Sequence, residues 1–269
     1  MTMTSKRNTP IFTNGIVAEH VLLKNGYYKT VFIAPQVAQT AKPGQFVMLS
    51  KWNIKELFLK RPFSFYEIEP ETGRFSLLYK KVGKGTAVLS ESKPGEQVEL
   101  IGPLGNGFIL PEKVKNIAVV ARGIGVAPLL PLIRKVKSEN RGIYSFLSAS
   151  SKELLFANEL VEAVSLDTYY TTDDGSKGLP GNVTMFLEDL LREDPEAIDV
   201  VYTCGSKRLA RHIGELQQRY HFQAYISLEE RMGCGIGACK GCVVETSHGY
   251  QRVCKEGPVF RLEEVVLNA

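Results

Sequence analysis

The 269-residue chain reads as a multi-domain protein: an antiparallel β-barrel, an α/β domain of the doubly wound kind, and a small C-terminal module rich in cysteine. Three observations predict this. Short apolar or alternating runs broken by Gly and Pro fill the first third, the pattern of antiparallel strands joined by tight turns. At Lys115 the texture changes to apolar runs alternating with helical periodicity, as in a parallel sheet covered by helices. Near the C-terminus, four of the five cysteines fall within twenty-one residues. The boundaries are placed at 11–110, 111–226 and 227–269, since a chain of this length can bury two cores and carry a small appended module.

Composition narrows the class further. Hydrophobic content of 44% and charged content of 23% are those of a soluble globular protein, and no apolar run is long enough to span a membrane. Met1–Pro10 is polar, without the apolar stretch of a secretory signal, and reads as a ragged leader, disordered up to about Pro10. A formal charge of +4 without a dense Lys/Arg tract gives no reason to expect nucleic-acid binding. Cysteines gathered in one ligand loop fit a reducing compartment, hence the cytoplasm.

In the first third the strand candidates are Tyr28–Ala34, Gln45–Ser50, Phe63–Ile68, Arg74–Tyr79 and Gln97–Ile101. Breakers at Pro35, Pro43-Gly44, Pro70 to Gly73 and Pro94-Gly95 separate them, and only Lys84–Ser92 has room for a helix. Arg61, Pro62, Phe63 and Ser64 open one strand, Leu78, Tyr79 and Lys80 close another, and Gly85 and Thr86 stand at the start of the helix. An Arg can neutralise a diphosphate, a strand can present a hydroxyl or N–H to a flat ring, and a Gly-Thr helix start can receive phosphate. Together these pieces read as a flavin site; singly, they also fit a strand start with an exposed Arg and an ordinary helix cap. Gly102 to Phe108, with three glycines and a proline, makes a loop and a domain linker.

In the middle of the chain Asn116–Ala121 is an apolar run, Arg122 to Pro128 a glycine turn and Leu129–Lys137 a helix. Gly142–Ser148, Asp167–Thr171, Asp199–Thr203 and Gln223–Ile226 are further strands, with helices at Glu153–Ala163, Thr184–Arg192 and Lys207–Arg219. Ligands of such a sheet sit at the carboxyl ends of its strands. There, Gly123-Ile-Gly125 opens a helix whose amides can receive phosphate, although Pro128 occupies the last glycine position of the dinucleotide fingerprint. Cys204 and Gly205 end another strand, where Cys204 also fits a buried structural cysteine. Thr171 to Gly178 is a polar loop that can touch a ribose or simply turn, and Lys152 suits either a 2′-phosphate or solvent. The four histidines are scattered and unpaired at metal-ligand spacing, so they read as surface residues.

The C-terminal cysteines carry the sharpest signal. Cys234, Cys239 and Cys242, with Cys254 after a further eleven residues, have the spacing of plant-type [2Fe–2S] proteins. Gly235, Gly237 and Gly241 let a short loop fold round a cluster and turn N–H groups toward sulfur. A zinc site usually takes two separated knuckles, and only Cys239 and Cys242 form one; a disulfide pair is the other reading. A cluster moves electrons singly, and flavin is a carrier that exchanges both one and two.

The order of Arg61 to Ser64, Gly85-Thr86, Gly123 to Pro128, Thr203 to Gly205 and a C-terminal cysteine cluster resembles the ferredoxin-NADP reductase superfamily. Within it, Ser227 to Val244 and Arg252 to Phe260 resemble the electron-transfer subunits of class 1B dihydroorotate dehydrogenases, and the likeness spans about residues 11–265. The resemblance implies a relay: an FMN-containing catalytic subunit oxidises dihydroorotate, electrons pass through this chain's [2Fe–2S] cluster to FAD, and a hydride goes to NAD+. It implies that Arg61, Pro62, Phe63 and Ser64 hold the FAD, with Leu78, Tyr79 and Lys80 beside it and Gly85 and Thr86 on its diphosphate. Gly123 and Gly125 would face the NAD, Cys204 and Gly205 would lie near the nicotinamide with Cys204 as the catalytic residue, and Cys234, Cys239, Cys242 and Cys254 would hold the cluster. The pattern departs at Ala121 and Arg122, where members of the family often carry glycines; an Arg at that turn can salt-bridge to nucleotide phosphates or compete with them.

The expected partners are a catalytic dihydroorotate dehydrogenase subunit, in a hetero-oligomer of heterotetramer type, and NAD, with no nucleic acid and no membrane. No residues remain for a second, flavin-binding α/β barrel, so the partner must supply that chemistry. The expected contact is the cluster loop with Lys240 and the Arg252–Phe260 segment, where Val243, Val253, Val259 and Phe260 are available to build an apolar interface. An alternative keeps the cofactors and changes the partner, as in diaphorase-type NAD(P)H subunits of hydrogenases, sulfide dehydrogenases or ferredoxin:NAD(P) oxidoreductases. A third reading is a zinc-stabilised binding protein, which would be colourless.

Overall fold

The computed structural model describes residues 9–51 and 57–267; the leader expected ahead of the barrel lies, apart from Thr9 and Pro10, outside the described residues. Six antiparallel strands close a barrel: β1 (Ile11–Leu22), β2 (Tyr27–Ile33), β3 (Phe46–Ser50), β4 (Arg61–Glu69), β5 (Arg74–Lys80) and β6 (Gln97–Leu104), in the order β1-β2-β5-β4-β3-β6. Two short helices interrupt them, α1 (Pro35–Ala38) and α2 (Lys84–Leu89). Alternation drives the closure, because Val17, Phe32, Leu49, Phe65, Phe75, Leu77 and Leu100 all turn inward and are buried. Phe75 stacks on Phe32 at 5.4 Å and takes Phe65 edge-on at 5.1 Å, geometry that aromatic quadrupoles favour.

Strand β1 and helix α1 lie beyond the sequence reading. Asn14-Gly15 masks β1 by looking like a breaker; the glycine is there because Leu100 presses on it, its side chain 2.7 Å from where a Cβ would stand. Pro35, read as a breaker, opens α1 at its first position, where a missing N–H costs nothing.

The second sheet has six strands in the order β14-β11-β10-β7-β8-β9. In sequence it runs β7 (Asn116–Arg122), α3 (Leu130–Ser138), β8 (Gly142–Ala149), α4 (Asn158–Glu162), β9 (Asp167–Thr172), α5 (Thr184–Glu193), β10 (Val200–Cys204), α6 (Lys207–Tyr220) and β11 (Gln223–Ser227). β7 to β11 are parallel. The order reverses between β7 and β10, so the switch point of the sheet lies at the carboxyl ends of these two strands. The helix expected over Glu153–Ala163 is split: Lys152–Leu154 is a 3-10 turn, Ala157 stands at φ 57°, and only Asn158–Glu162 is α-helical. Phe156, in the break, packs on Tyr27 of the barrel at 4.6 Å, a tertiary contact that outweighs local periodicity.

The cysteine-rich segment is woven into both units. Its hairpin, β12 (Val243–Thr246) and β13 (Gly249–Arg252), stands apart, whereas β14 (Val259–Arg261) pairs antiparallel with β11 at the edge of the second sheet. Gly102–Phe108, read as a linker, begins inside β6 and then stitches the segments together. The Asn106 N–H donates to the Gly257 carbonyl at 2.6 Å and its side-chain amide to the Glu256 carbonyl at 2.8 Å, while Phe108 meets Tyr202 edge-on at 5.4 Å. Among the described residues, no helix is long and apolar enough to cross a membrane.

An ion cluster ties barrel to sheet domain. The half-exposed Arg134 of α3 donates to Glu67 of β4 at 2.7 Å, Ser76 donates to the same carboxylate at 2.9 Å, and Lys29 is its third partner. Burial works against this carboxylate, but the hydrogen bond and charge of Lys29, the Ser76 hydroxyl and Arg134 outweigh it and hold its pKa below the ordinary 4.5. A carboxyl lowered on folding adds stability above its unfolded pKa and loses it as pH falls through the folded one. Glu67→Gln is therefore expected to cost about 1–2 kcal/mol at neutral pH, between exposed and buried pairs, and to flatten the acid side of a Tm against pH curve. An acid side unchanged in the variant would assign the acid sensitivity to other carboxylates.

Candidate functional site

Two sites adjoin on one side of the barrel. The first is a cavity of about 400 Å³ that opens between β4, β5, α2, the turn after β7 and the start of the cysteine-rich segment. It is lined by Arg61, Pro62, Phe63, Ser64, Leu78, Tyr79, Lys80, Gly85 and Thr86. All nine residues that the sequence assigns to a flavin thus meet at one cavity, because β4 and β5 are antiparallel neighbours and α2 follows β5 directly.

Each wall has a local cause. Phe63 meets Tyr79 edge-on at 5.5 Å, and Tyr79 stacks in turn on Tyr28 at 5.7 Å, so the aromatic wall is braced from behind. Half-buried His20 continues this stack at 5.3 Å from Tyr28, its ring nitrogens bonded to Thr30 at 2.8 Å and to the Ser90 carbonyl at 3.1 Å; it serves the barrel rather than the surface. Arg61 donates to the Leu59 carbonyl at 2.7 Å and lies against Gly85, where a Cβ would come within 3.1 Å of its Nε. The Thr86 hydroxyl accepts from the N–H groups of Val82 and Gly83 at 2.9 and 3.1 Å, which shapes the Val82–Gly85 turn. A cationic fork, an aromatic wall and a glycine cradle that a methyl group would fill suit a flat ring system carrying a diphosphate.

Sequence reasoning missed the far wall, formed by Ile124, Ala127, Pro128, Leu228, Glu229, Glu230, Met232 and Pro258. Glu229 is exposed at the rim of the cavity, and the loss of water on its cavity side raises its carboxyl above the ordinary 4.5. The signal available for it was position: it follows β11 by two residues, at the carboxyl edge of a parallel sheet.

Gly125, Cys204 and Gly205 meet one another at the switch point, with Gly123 two residues earlier in the same turn; none of the four is part of this cavity's lining. A Cβ on Gly125 would stand 2.5 Å from the Cys204 carbonyl oxygen, and Gly205, at φ +95°, leans on the Arg122 carbonyl. Cys204 is 2% exposed. Burial, and then the neighbouring Glu229 charge, push its thiol well above the ordinary range, so it is a neutral thiol at physiological pH.

The second site is the cysteine loop. Its fold requires glycine at 235: φ is +71°, and a Cβ would come 2.4 Å from Met48 of the barrel. Backbone amides link the four cysteines two by two. The Cys239 N–H donates to the Cys234 sulfur at 3.4 Å, and the Cys254 N–H donates to the Cys242 sulfur at 3.4 Å. Burial raises the Cys234 thiol, but the N–H groups of Cys239, Ile236 and Ala238 outweigh it and bring the thiol down to about 7. Burial, the Cys242 sulfur and the Cys234 charge push Cys254 up to about 12. Among the described residues, no three Cys, His, Asp or Glu side chains converge on one ion position. Four thiols gathered by one short loop, with backbone N–H groups turned toward sulfur, suit an iron–sulfur cluster. Arg252 clamps the loop, donating to the Gly237 carbonyl at 3.0 Å while its guanidinium holds Glu256 at 2.5–2.9 Å.

The apolar surface expected round the cluster is smaller than the sequence suggests. Val253, Val259 and Phe260 are buried, at 0%, 8% and 5% exposure, and only Val243 at 42% is free. They pack inward because the segment's own core continues into those of the sheet and barrel. Ile236 and Tyr250, at 41% and 75%, are the exposed apolar side chains this region offers instead.

Residues 229–266 match the iron–sulfur cluster binding domain of dihydroorotate dehydrogenase B. The chain is 36% identical over 260 residues to the dihydroorotate dehydrogenase B (NAD(+)) electron transfer subunit of Desulforamulus reducens, covering 95% of this chain and 98% of that one. It is 37% identical over 252 residues to the subunit of the same name from Clostridium acetobutylicum, with 94% and 96% covered. Among solved structures, the NADH-dependent reduced ferredoxin-NADP oxidoreductase superposes with TM-score 0.84 at 29% identity, over 94% of this chain and 90% of that one. The ferredoxin NADP+ reductase of Neisseria gonorrhoeae shares the fold, with TM-score 0.64 at 17% identity over 78% of this chain and 91% of that one.

Proposed function

We propose that this chain, which belongs to the family of dihydroorotate dehydrogenase B electron transfer subunits, carries electrons from a dihydroorotate-oxidising partner through a [2Fe–2S] cluster and FAD to NAD+. One observation carries the reading: Met232 and Pro258, on either side of the cysteine loop in sequence, line the cavity that suits a flavin. This supports placing the two redox sites close together, as electron transfer between them needs.

The residues divide the work. Arg61 neutralises the flavin diphosphate, and Gly85 leaves room for it. Phe63 and Tyr79 give the ring system an aromatic wall, and Glu229 holds its proton to a higher pH than an ordinary carboxyl at the mouth. Cys204 and Gly205 shape the floor where a nicotinamide approaches, Gly123 and Gly125 give the nucleotide bare backbone, and Cys234, Cys239, Cys242 and Cys254 take the iron. When bound, flavin exchanges electrons singly with a cluster and in pairs with nicotinamide. The partner is an FMN-bearing catalytic subunit in a hetero-oligomer, and the exposed cluster face with Lys240, Val243, Ile236 and Tyr250 is its docking surface. Cysteines gathered in one ligand loop suit a reducing compartment such as the cytoplasm.

Co-expression with a dihydroorotate dehydrogenase catalytic subunit is expected to give a stable complex with dihydroorotate:NAD+ activity, while the chain alone reduces dyes with NADH and leaves dihydroorotate untouched. Turnover of dihydroorotate by the chain unaided would sink the reading. The likeness to the NADH-dependent reduced ferredoxin-NADP oxidoreductase favours one alternative, a diaphorase-type subunit for another flavoprotein. That alternative gains if the chain never binds the dihydroorotate-oxidising subunit yet delivers NADH electrons to ferredoxin.

A further inference from the structure

At the sheet's switch point the crevice walls are bare backbone, since Gly125 and Gly205 lie on one another and on the carbonyls of Cys204 and Arg122. Arg122 ends β7 here, level with Ser148 of β8. Its guanidinium reaches Asp173, just past the end of β9, at 2.6 Å. β9 is two strands away from β7, about 10 Å at normal strand spacing, so the side chain lies across the carboxyl end of β8. That end is where a doubly wound sheet takes its ligand. Asp173 is fixed to receive it, its N–H bonded to the Ala149 carbonyl at 3.1 Å. Two neighbouring charges are engaged elsewhere, Lys177 with Glu162 and over the Tyr170 ring and Asp174 with Ser176.

The Arg122–Asp173 pair is accessible at both ends, with the side chains 25% and 50% exposed, and such pairs are held weakly. Arg meets phosphate through the same charge-assisted, often bidentate bonds as carboxylate, and a dinucleotide diphosphate brings two negative charges against the one of Asp173, so it can compete for the fork. We propose that Arg122 is a phosphate-binding residue that sets dinucleotide affinity: its guanidinium rests on Asp173 across the end of β8 and passes to the diphosphate of an incoming nicotinamide dinucleotide. This rests on the reading of the chain as a nicotinamide-linked subunit. Asp173 acts as the resting counter-ion and competes with the ligand for the same fork.

Isothermal titration of the flavin- and cluster-loaded chain with NADH and with ADP-ribose, at low and high salt, tests this. Arg122→Ala is expected to weaken both ligands about 10- to 100-fold, the range of hydrogen bonds to charged groups, and to reduce the salt dependence of binding. Arg122→Gln, which keeps the stem, is expected to behave the same way with full flavin and iron content. Asp173→Asn frees the fork and is expected to tighten binding by up to about fivefold. Unchanged affinity in the Arg122 variants would overturn the proposal, and tighter binding in them would show instead that Arg122 blocks the crevice. A wild-type chain that binds neither ligand would remove the nicotinamide step from the functional reading itself, a result separable from failure of the variants alone.

Discussion

Cys242→Ser is expected to strip the chain of most of its iron and acid-labile sulfide and, in complex with a catalytic subunit, to cut electron flow to NAD+ by more than about a hundredfold. The scale follows from what weaker changes do, since loss of an outer-shell hydrogen bond alone costs metal sites about 10- to 100-fold. Cys242 is 2% exposed and shares a backbone contact with Cys254, so a hydroxyl there can neither match thiolate softness nor be replaced by a nearby ligand. The pairing makes the prediction sharper. If a bound cluster takes one iron on Cys234 and Cys239 and the other on Cys242 and Cys254, a serine in either pair would perturb a distinct iron in a Mössbauer spectrum. Cys204→Ser keeps the iron, because that sulfur is buried at the end of β10 in the sheet. Iron retained in Cys242→Ser and lost in Cys204→Ser would reverse the assignment.

The cysteine loop was legible because its chemistry is written in consecutive spacing: Cys234, Cys239 and Cys242 must lie on one short loop whatever the rest of the chain does. The residues that line the cavity were legible for a related reason. Arg61 to Ser64, Leu78 to Lys80 and Gly85-Thr86 sit on strands and a helix that are neighbours both in sequence and in the barrel, so local reading already grouped them. What stayed hidden depends on long-range contacts. Glu229 reaches the cavity only because β11 lies beside β10, and the Arg122–Asp173 pair forms only because β8 and β9 stack on the same side of β7. Val253, Val259 and Phe260 read as a spare apolar surface because the sequence does not reveal that the cysteine-rich segment supplies β14 to the second sheet. Strand β1 was lost to its own glycine, whose reason for being there is a leucine eighty-five positions away.

Arg61→Ala is expected to release the flavin while leaving the cluster in place. In the structure the guanidinium is already held at the cavity, by the Leu59 carbonyl at 2.7 Å on one side and the Gly85 turn on the other, so little rotamer freedom is lost when a diphosphate arrives. Charge-assisted hydrogen bonds contribute about 1.5–3 kcal/mol each, and a fork that makes two of them loses about 3 kcal/mol or more when truncated, at least about a hundredfold in flavin affinity. Arg61→Lys keeps the charge but not the planar pair of donors, and is expected to recover part of this. Gly85→Ala approaches the same result from the opposite wall, since its methyl would stand 3.1 Å from the Arg61 Nε and would push the fork off the site. Flavin fluorescence released on dilution measures all three variants, and the visible spectrum of the cluster reports whether the second site is intact. Full flavin retention in Arg61→Ala would take this residue out of the site and leave the Lys80–Lys84 side of the cavity as the one that neutralises the diphosphate.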